Sequence, residues 1–261
     1  MRNLVVIIAG GLLASCAYLP GMHSDDVSAK DRESYAAAVA DTSRPTTDSA
    51  RDADRKPAET LAFAHVRQGD KVADFAAGGG YFTRLFADVV GPRGRVYAIE
   101  PAEVQKVSSS AAKNLAQLQA FAGTHPDVTV NTAPALQALK FPEPLDLFWI
   151  SQNYHDLKDK FFGPVDTAAF NAAVFAALKP GGVYIVLDHA AVSGAPADVT
   201  ETLHRIDPAV VRREVEAAGF QFVGESKLLA NPNDPHTIKV FDPSIRGHTD
   251  QFIYKFRKPK H

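Results

Sequence analysis

Cysteine is almost absent from this chain. Cys16 is the only one among 261 residues, and methionine (two) and tryptophan (one) are nearly as scarce. A lone thiol excludes a disulfide framework within the chain. A surplus of either charge is missing too: 28 Lys and Arg face 30 Asp and Glu, a net charge of −2. That balance excludes the basic footprint of a nucleic-acid binder, and no nucleic-acid partner is expected. Long apolar runs are lacking as well. The longest at the start, LVVIIAGGLLA at 4–14, is far short of the roughly 20 residues that cross a bilayer. No internal repeat or long low-complexity tract appears. What remains, 46% hydrophobic and 22% charged residues, is globular composition. A chain of this length buries enough surface to fold without staples.

The start of the chain carries a specific pattern. A charged Met1-Arg2-Asn3 precedes the short apolar run, and small residues close it, as in a secretory signal peptide. The ending Leu13-Ala14-Ser15-Cys16 resembles the lipobox of bacterial lipoproteins. That resemblance implies cleavage before Cys16 and lipidation of its thiol. With Ala17 rather than an aspartate next, it also implies the outer membrane of a two-membrane cell. The expected location is therefore the cell envelope, lipid-anchored at Cys16 and facing the periplasm. Two or more acyl chains make such an anchor durable. Residues 1–16 then form the signal peptide and 17–60, rich in Asp, Arg, Ser, Thr and Pro, a tether with a helical cover. Within that cover, residues 33–39 read as a short helix. The mixed charges at 51–56 read as a solvated face or as a lid over a ligand.

From residue 61 the pattern becomes regular. Apolar strands are expected at 71–75, 95–99, 128–131, 145–150 and 183–188, and two more within 220–229 and 251–256. Helical spacing covers 81–90, an alanine-rich stretch reaching 122, and 167–178, the last ending in the turn Lys179-Pro180-Gly181-Gly182. Asp207 and Pro208 form a cap and first turn for a helix that stops before Gly219. Strands alternating with helices imply an α/β three-layer sandwich around a mostly parallel seven-stranded sheet. Two closing strands without a helix between them imply an antiparallel pair at the C-terminus, one strand lying at the edge. Ligands of such sheets bind beyond the carboxyl ends of the strands, here beside the loop AAGGG at 76–80. A dinucleotide fingerprint would need a glycine at Thr83 and fails.

The stretches VADFAAGGGYFTRLF, SQNYHDL and LKPGGVYIVLDH, with Glu100 ending the second strand, resemble class I S-adenosylmethionine-dependent methyltransferases. The resemblance implies a Rossmann-like fold over 61–261, S-adenosyl-L-methionine as cofactor and a small-molecule acceptor. By position it implies cofactor contacts from Asp74, Ala76, Gly78, Gly80 and Tyr81, with Glu100 on the ribose hydroxyls. Ala76 stands where the family has its first glycine. Asn131, or Thr132 beside it, stands where the family places an acid near the adenine. DADRKPAETLAF, NYHDL, LHRIDP and RGHTDQF further resemble a little-described group of predicted bacterial methyltransferases.

Chemistry-bearing side chains cluster after the fourth and fifth strands. His155 is the first choice for a general base, and His189 or His204 the second. Asn153 and Tyr154 flank His155, and Tyr154 either shapes the pocket or faces the sulfonium. His155, Asp156, His189 and His204 show no short ligand spacing, and no metal is expected. NYHD lacks the two prolines of the amino-methylating Asn-Pro-Pro-Tyr motif. The competing reading is a non-catalytic envelope binding protein that kept the fold.

Overall fold

The computed structural model describes residues 27–260, except 108, 134, 135, 137, 138 and 164. The expected signal peptide and Cys16 therefore lie outside the described residues. Four helices open the chain: α1 (Ala29–Ala40), α2 (Thr46–Ser49), α3 (Asp52–Arg55) and α4 (Pro57–Ala64). Then follow β1 (Lys71–Phe75), α5 (Tyr81–Val90), β2 (Arg95–Pro101), α6 (Val104–Val107), α7 (Ala111–Ala122), β3 (Val128–Ala133) and β4 (Leu145–Ser151). The chain continues through α8 (Thr167–Ala177), β5 (Leu178–His189), α9 (Val199–Leu203), α10 (Pro208–Ala217), β6 (Gln221–Ser226) and β7 (Gln251–Arg257). Among the described residues no helix is long and apolar enough to cross a membrane.

One seven-stranded sheet runs in the order β3-β2-β1-β4-β5-β7-β6. The first five strands pair in parallel, and β7 is antiparallel to both its neighbours. The antiparallel strand is thus interior, wedged between β5 and β6, and β6 takes the edge expected for it. Strand order reverses between β1 and β4, so the loops leaving these two strands open the ligand crevice.

Side chains alternate across the sheet with period two. Val72, Leu147, Trp149 and Ile185 pack on one side with Tyr35, Leu61, Leu85 and Phe86. Ala73, Phe75, Phe148, Ile150 and Tyr184 pack on the other with Phe170, Val174, Val211 and Val215. The N-terminal helices are therefore core elements: Tyr35 is buried and donates its hydroxyl to Val66 O at 2.7 Å. The boundary drawn at residue 60 falls inside α4.

Two local readings change. The turn at 179–182 lies inside β5, because pairing shifts there: Leu145 faces Leu178 while Leu147 faces Val183. Gly181 (φ +81) supplies the left-handed residue this bulge requires. The alanine-rich helix is broken into α6 and α7. At α10 the reading holds: Asp207 accepts the Ala209 amide at 2.9 Å and Pro208 occupies the first turn.

Candidate active site

The loop after β1 is built for close approach. Gly78 (φ +57) has nothing within 4 Å of where a Cβ would stand, so the backbone there faces open space. Gly80 (φ +86) begins α5, where a Cβ would meet Leu118 at 2.8 Å. Ala76 also takes a left-handed conformation (φ 54). That costs an alanine roughly 1–2 kcal/mol which a glycine avoids. Glycine loses more freedom on folding, so Ala76→Gly is expected to stabilise the protein by a net ~0.5–1 kcal/mol. Denaturant unfolding reads this directly, and a less stable variant would contradict it.

Glu100, at the end of β2, is buried and accepts the Gly78 amide through Oε1. Among the described residues its Oε2 has only a long contact, 3.4 Å, from Gln105. Burial, together with the neighbouring charge of Asp74, pushes its carboxyl up to about 7, against the pull of the Gly78 amide. Asp74 lies beneath the loop and accepts the Thr83 hydroxyl at 2.6 Å, and burial raises it to about 7 as well. It fixes the loop onto α5. Asn131 pairs with Ile99 on β3, next to β2.

The N-terminal segment locks down over this loop. Arg84 of α5 donates to Asp48 at 2.8 Å and to Gly79 O at 2.6 Å. Arg44 holds Asp52 with two 2.8 Å bonds, and the Tyr81 hydroxyl donates to the same carboxylate at 2.7 Å. Arg55 lies 4.7 Å from the Tyr81 ring centre. Burial and the neighbouring Arg51 lower its guanidinium to about 10. The solvated-face reading therefore fails for Asp52 and Arg55, while the lid reading fits their contacts. Neither Arg44 nor Asp48 stood out in the sequence, because a charge pattern does not reveal its partners.

Beside Arg55 opens a cavity of about 540 Å³. Arg51, Arg55, Arg246, Gln152, His189 and Phe241 are among its walls. A hydrogen-bonded chain runs along it. Arg55 donates to Gln152 (2.8 Å), Gln152 to Gln251 (2.9 Å), and Gln251 to Thr249 (3.3 Å), whose Oγ1 lies 2.7 Å from His189 Nδ1. The turn at 246–250 thereby closes the cavity. Burial drives His189 down to about 3, with the cations His155, Arg205 and Arg55 adding to burial against Asp188. It is neutral at physiological pH. Gln152, Thr249 and Gln251 were not legible as site residues, since they come together only through the pairing of β5 with β7.

The remaining histidines form a second cluster behind His189. His155 is 3% exposed, and both ring nitrogens are engaged: Nδ1 with Asp188 at 2.8 Å and Nε2 with Asp156 at 3.2 Å. Burial alone would lower its pKa, yet the two carboxylates hold it well above the usual value. Both nitrogens of this ring are engaged, so it offers no free lone pair to the cavity, whereas His189 lines it. Tyr154 is 0% exposed, donating to Glu214 (3.0 Å) and accepting from Asn171 (2.8 Å). It is a core residue and does not face the crevice. Asn153 donates to Asp156 at 2.7 Å, which makes it a positioning residue. His204 sits at the end of α9, 3.8 Å from Asp156 and 3.9 Å from Asp159. Arg205, next in the chain, clamps the buried Asp234. Asp188 was overlooked, although a lone acid ending the apolar strand VYIVLD marks a buried carboxylate in need of partners.

A larger cavity, about 600 Å³, lies between α9 and α10, away from the glycine loop.

Known proteins match this arrangement. The family model for protein-L-isoaspartate (D-aspartate) O-methyltransferase matches residues 27–151. The ubiquinone/menaquinone biosynthesis C-methyltransferase of Saccharophagus degradans is 30% identical over 198 residues, covering 75% of this chain and 68% of that protein. A glycopeptide N-methyltransferase crystallised with S-adenosyl-L-methionine shares the fold with a TM-score of 0.50 at 19% identity, over 77% of this chain and 86% of that one. The [4+2]-cyclase SpnF shares it with a TM-score of 0.57 at 17% identity, over 80% and 82%. Their names span methyl transfer to oxygen, carbon and nitrogen, and one cyclisation. The shared fold does not identify the acceptor.

Proposed function

Because the chain belongs to the class I S-adenosylmethionine-dependent methyltransferases, we propose that it methylates a small anionic molecule seated in the cavity between Arg55, Arg246 and His189. One observation carries this reading: Arg55 joins the glycine loop, through Tyr81, to the arginine-lined cavity, through Gln152. Gly78 leaves room for the cofactor against the backbone, and Glu100 Oε2 is placed to accept a ribose hydroxyl. S-adenosylmethionine, when bound, supplies an electrophilic methyl on a sulfonium.

The protein's own side chains do the rest. Arg51, Arg55 and Arg246 attract and orient an anion, since guanidinium groups match carboxylate and phosphate oxygens. Gln152 and Gln251 hold the wall between acceptor and loop. His189 would receive the proton that the acceptor loses on methylation. A neutral imidazole with Nδ1–H directed at Thr249 has its Nε2 lone pair for that proton. Such a weak base serves a hydroxyl acceptor, because the oxonium formed on methylation is strongly acidic.

The acceptor class is tested by offering a small-molecule extract, separated by charge, together with methyl-labelled cofactor. Label is expected in the anionic fraction. Label confined to neutral or cationic fractions would overturn the anionic class, and no label in any fraction would overturn methyl transfer.

The Leu13-Ala14-Ser15-Cys16 ending supports a lipid anchor and an envelope location for the same protein. Cys16→Ser is then expected to abolish lipid labelling and membrane retention in cells. Unchanged membrane association of that variant would contradict the anchor. A permanently charged cofactor does not cross an apolar bilayer unaided, so an exported enzyme draws on a supply in the envelope. A reporter active only outside the cytosol, fused after His261, is expected to be active. A silent reporter on a cytosolic protein would overturn the location.

A further inference from the structure

We propose that His155, Asp156, Asp159 and His204 bind a divalent transition-metal ion, a site that neither the family fold nor the cofactor chemistry requires. One ligand atom from each of His155, Asp156 and His204 lies within 4.8 Å of the others. His155 Nε2 is 3.2 Å, and His204 Nδ1 3.8 Å, from the same Asp156 oxygen. A tetrahedral zinc with bonds of about 2.0–2.1 Å sets its ligand atoms about 3.4 Å apart. Two edges of the observed triangle, 3.2 and 3.8 Å, bracket that spacing.

The outer contacts match what a metal site needs. His155 directs Nδ1 at Asp188, leaving Nε2 toward the centre, the carboxylate–histidine–metal relay that fixes a ligand ring. Asp188 is itself immobile, accepting the amides of His155 and His189 at 2.8 Å. Asn153 ties down the second oxygen of Asp156. His204 takes the left-handed conformation (φ 54) of the residue that ends α9, its amide on Thr200 O.

An independent observation supplies the fourth ligand. Asp159, beside the converging triad, is 2% exposed; its Oδ2 lies 3.9 Å from His204 Nδ1, and its other oxygen, Oδ1, has no hydrogen-bond partner among the described residues. A buried carboxylate oxygen left unpartnered is unfavourable, and a cation resolves it. Among the described residues the ion-pair partners of Asp156, Asp159 and Asp188 are His155 and His204 only, with no lysine or arginine. Two imidazoles with carboxylates suit zinc and its first-row neighbours. Ligand spacing in the chain hid the site, because α9 brings His204 to the turn after β4 from far along the sequence.

The ion would sit behind the cavity wall. The His155 and His189 ring centres are 6.0 Å apart, and His204 packs against Phe241 at 4.8 Å. It fixes the wall that carries His189 and contacts no reacting atom, so the proposal stands or falls separately from methyl transfer.

The test uses the full chain stripped of metal with a chelator and titrated with Zn²⁺ and with Co²⁺. One equivalent is expected to bind per chain, with cobalt showing the strong visible bands of a four-coordinate site. His204→Asn keeps a residue that tolerates the left-handed backbone, and is expected to weaken binding by more than about 10-fold and remove the bands. Asn153→Ala, a loss outside the ligand set, is expected to weaken binding about 10–100-fold. His236→Gln, at an ion pair with Asp250 elsewhere, is expected to bind as the parent does. No saturable binding by the parent protein, or equal binding and spectra in the parent and both site variants, would overturn the assignment.

Discussion

Glu100→Gln is expected to weaken S-adenosylmethionine binding about 10–100-fold while making the cofactor-free protein more stable at pH 8. The affinity loss follows from hydrogen-bond chemistry. Glutamine keeps a carbonyl oxygen for the Gly78 amide, so the loop holds its shape. Its other terminus is an NH₂ donor where the ribose hydroxyls need an acceptor. A hydrogen bond to a charged group contributes about 1.5–3 kcal/mol, which sets the range. The stability gain follows from the raised carboxyl. An acid held at about 7 in the folded state, against 4.5 as its ordinary value, ionises first in the unfolded chain. Folding stability from this group is therefore intact below pH 4.5, falls as pH rises toward 7, and stays reduced above it. Removing the charge restores about 1–3 kcal/mol at pH 8 and nothing near pH 4. Calorimetric titration and unfolding curves at the two pH values read both effects. A variant of unchanged affinity, or one less stable than the parent at pH 8, would contradict the role given to Glu100.

His189→Gln is expected to lower turnover roughly 10²–10⁴-fold, the contribution of a positioned general base. Glutamine can still meet Thr249 and fill the cavity wall, so affinity for the cofactor should stay within a few-fold. Because His189 is held down to about 3, its protonation should leave no inflection in the rate between pH 5 and 9. Activity within a few-fold of the parent, or a rate that rises through an imidazole-like pKa near 6.5, would remove His189 from the reaction. His155→Asn is expected to act differently, reducing stability and order because it breaks the buried link between Asp156 and Asp188.

The two sites differ in how far local sequence determines them. The span of α5 is legible to the residue, because Gly80 and Gly91 bracket an apolar stripe. The glycine loop and the five parallel strands follow from the same alternation of apolar runs and turn residues, and Glu100 from the family resemblance. Where pairing is long-range, the sequence is silent. The insertion of β7 between β5 and β6 depends on partners far apart in the chain, and it brings Thr249 and Gln251 to His189. The role of His155 depends on Asp188 in the same way. Read along NYHD it is an exposed loop base, and read across the sheet it is a clamped, buried ring. Charges mislead for a related reason. Arg44, Asp48 and Asp52 have the composition of a solvated face and the geometry of a lid, since Arg84 and Tyr81 of α5 neutralise and bury them.

Calorimetric titration of the protein lacking residues 1–16 with S-adenosylmethionine, and with its demethylated product, tests the central claim most directly. The account predicts saturable binding of one cofactor per chain, weakened by Glu100→Gln and little changed by His189→Gln. No saturable binding of either ligand at millimolar concentration by a folded protein would contradict it.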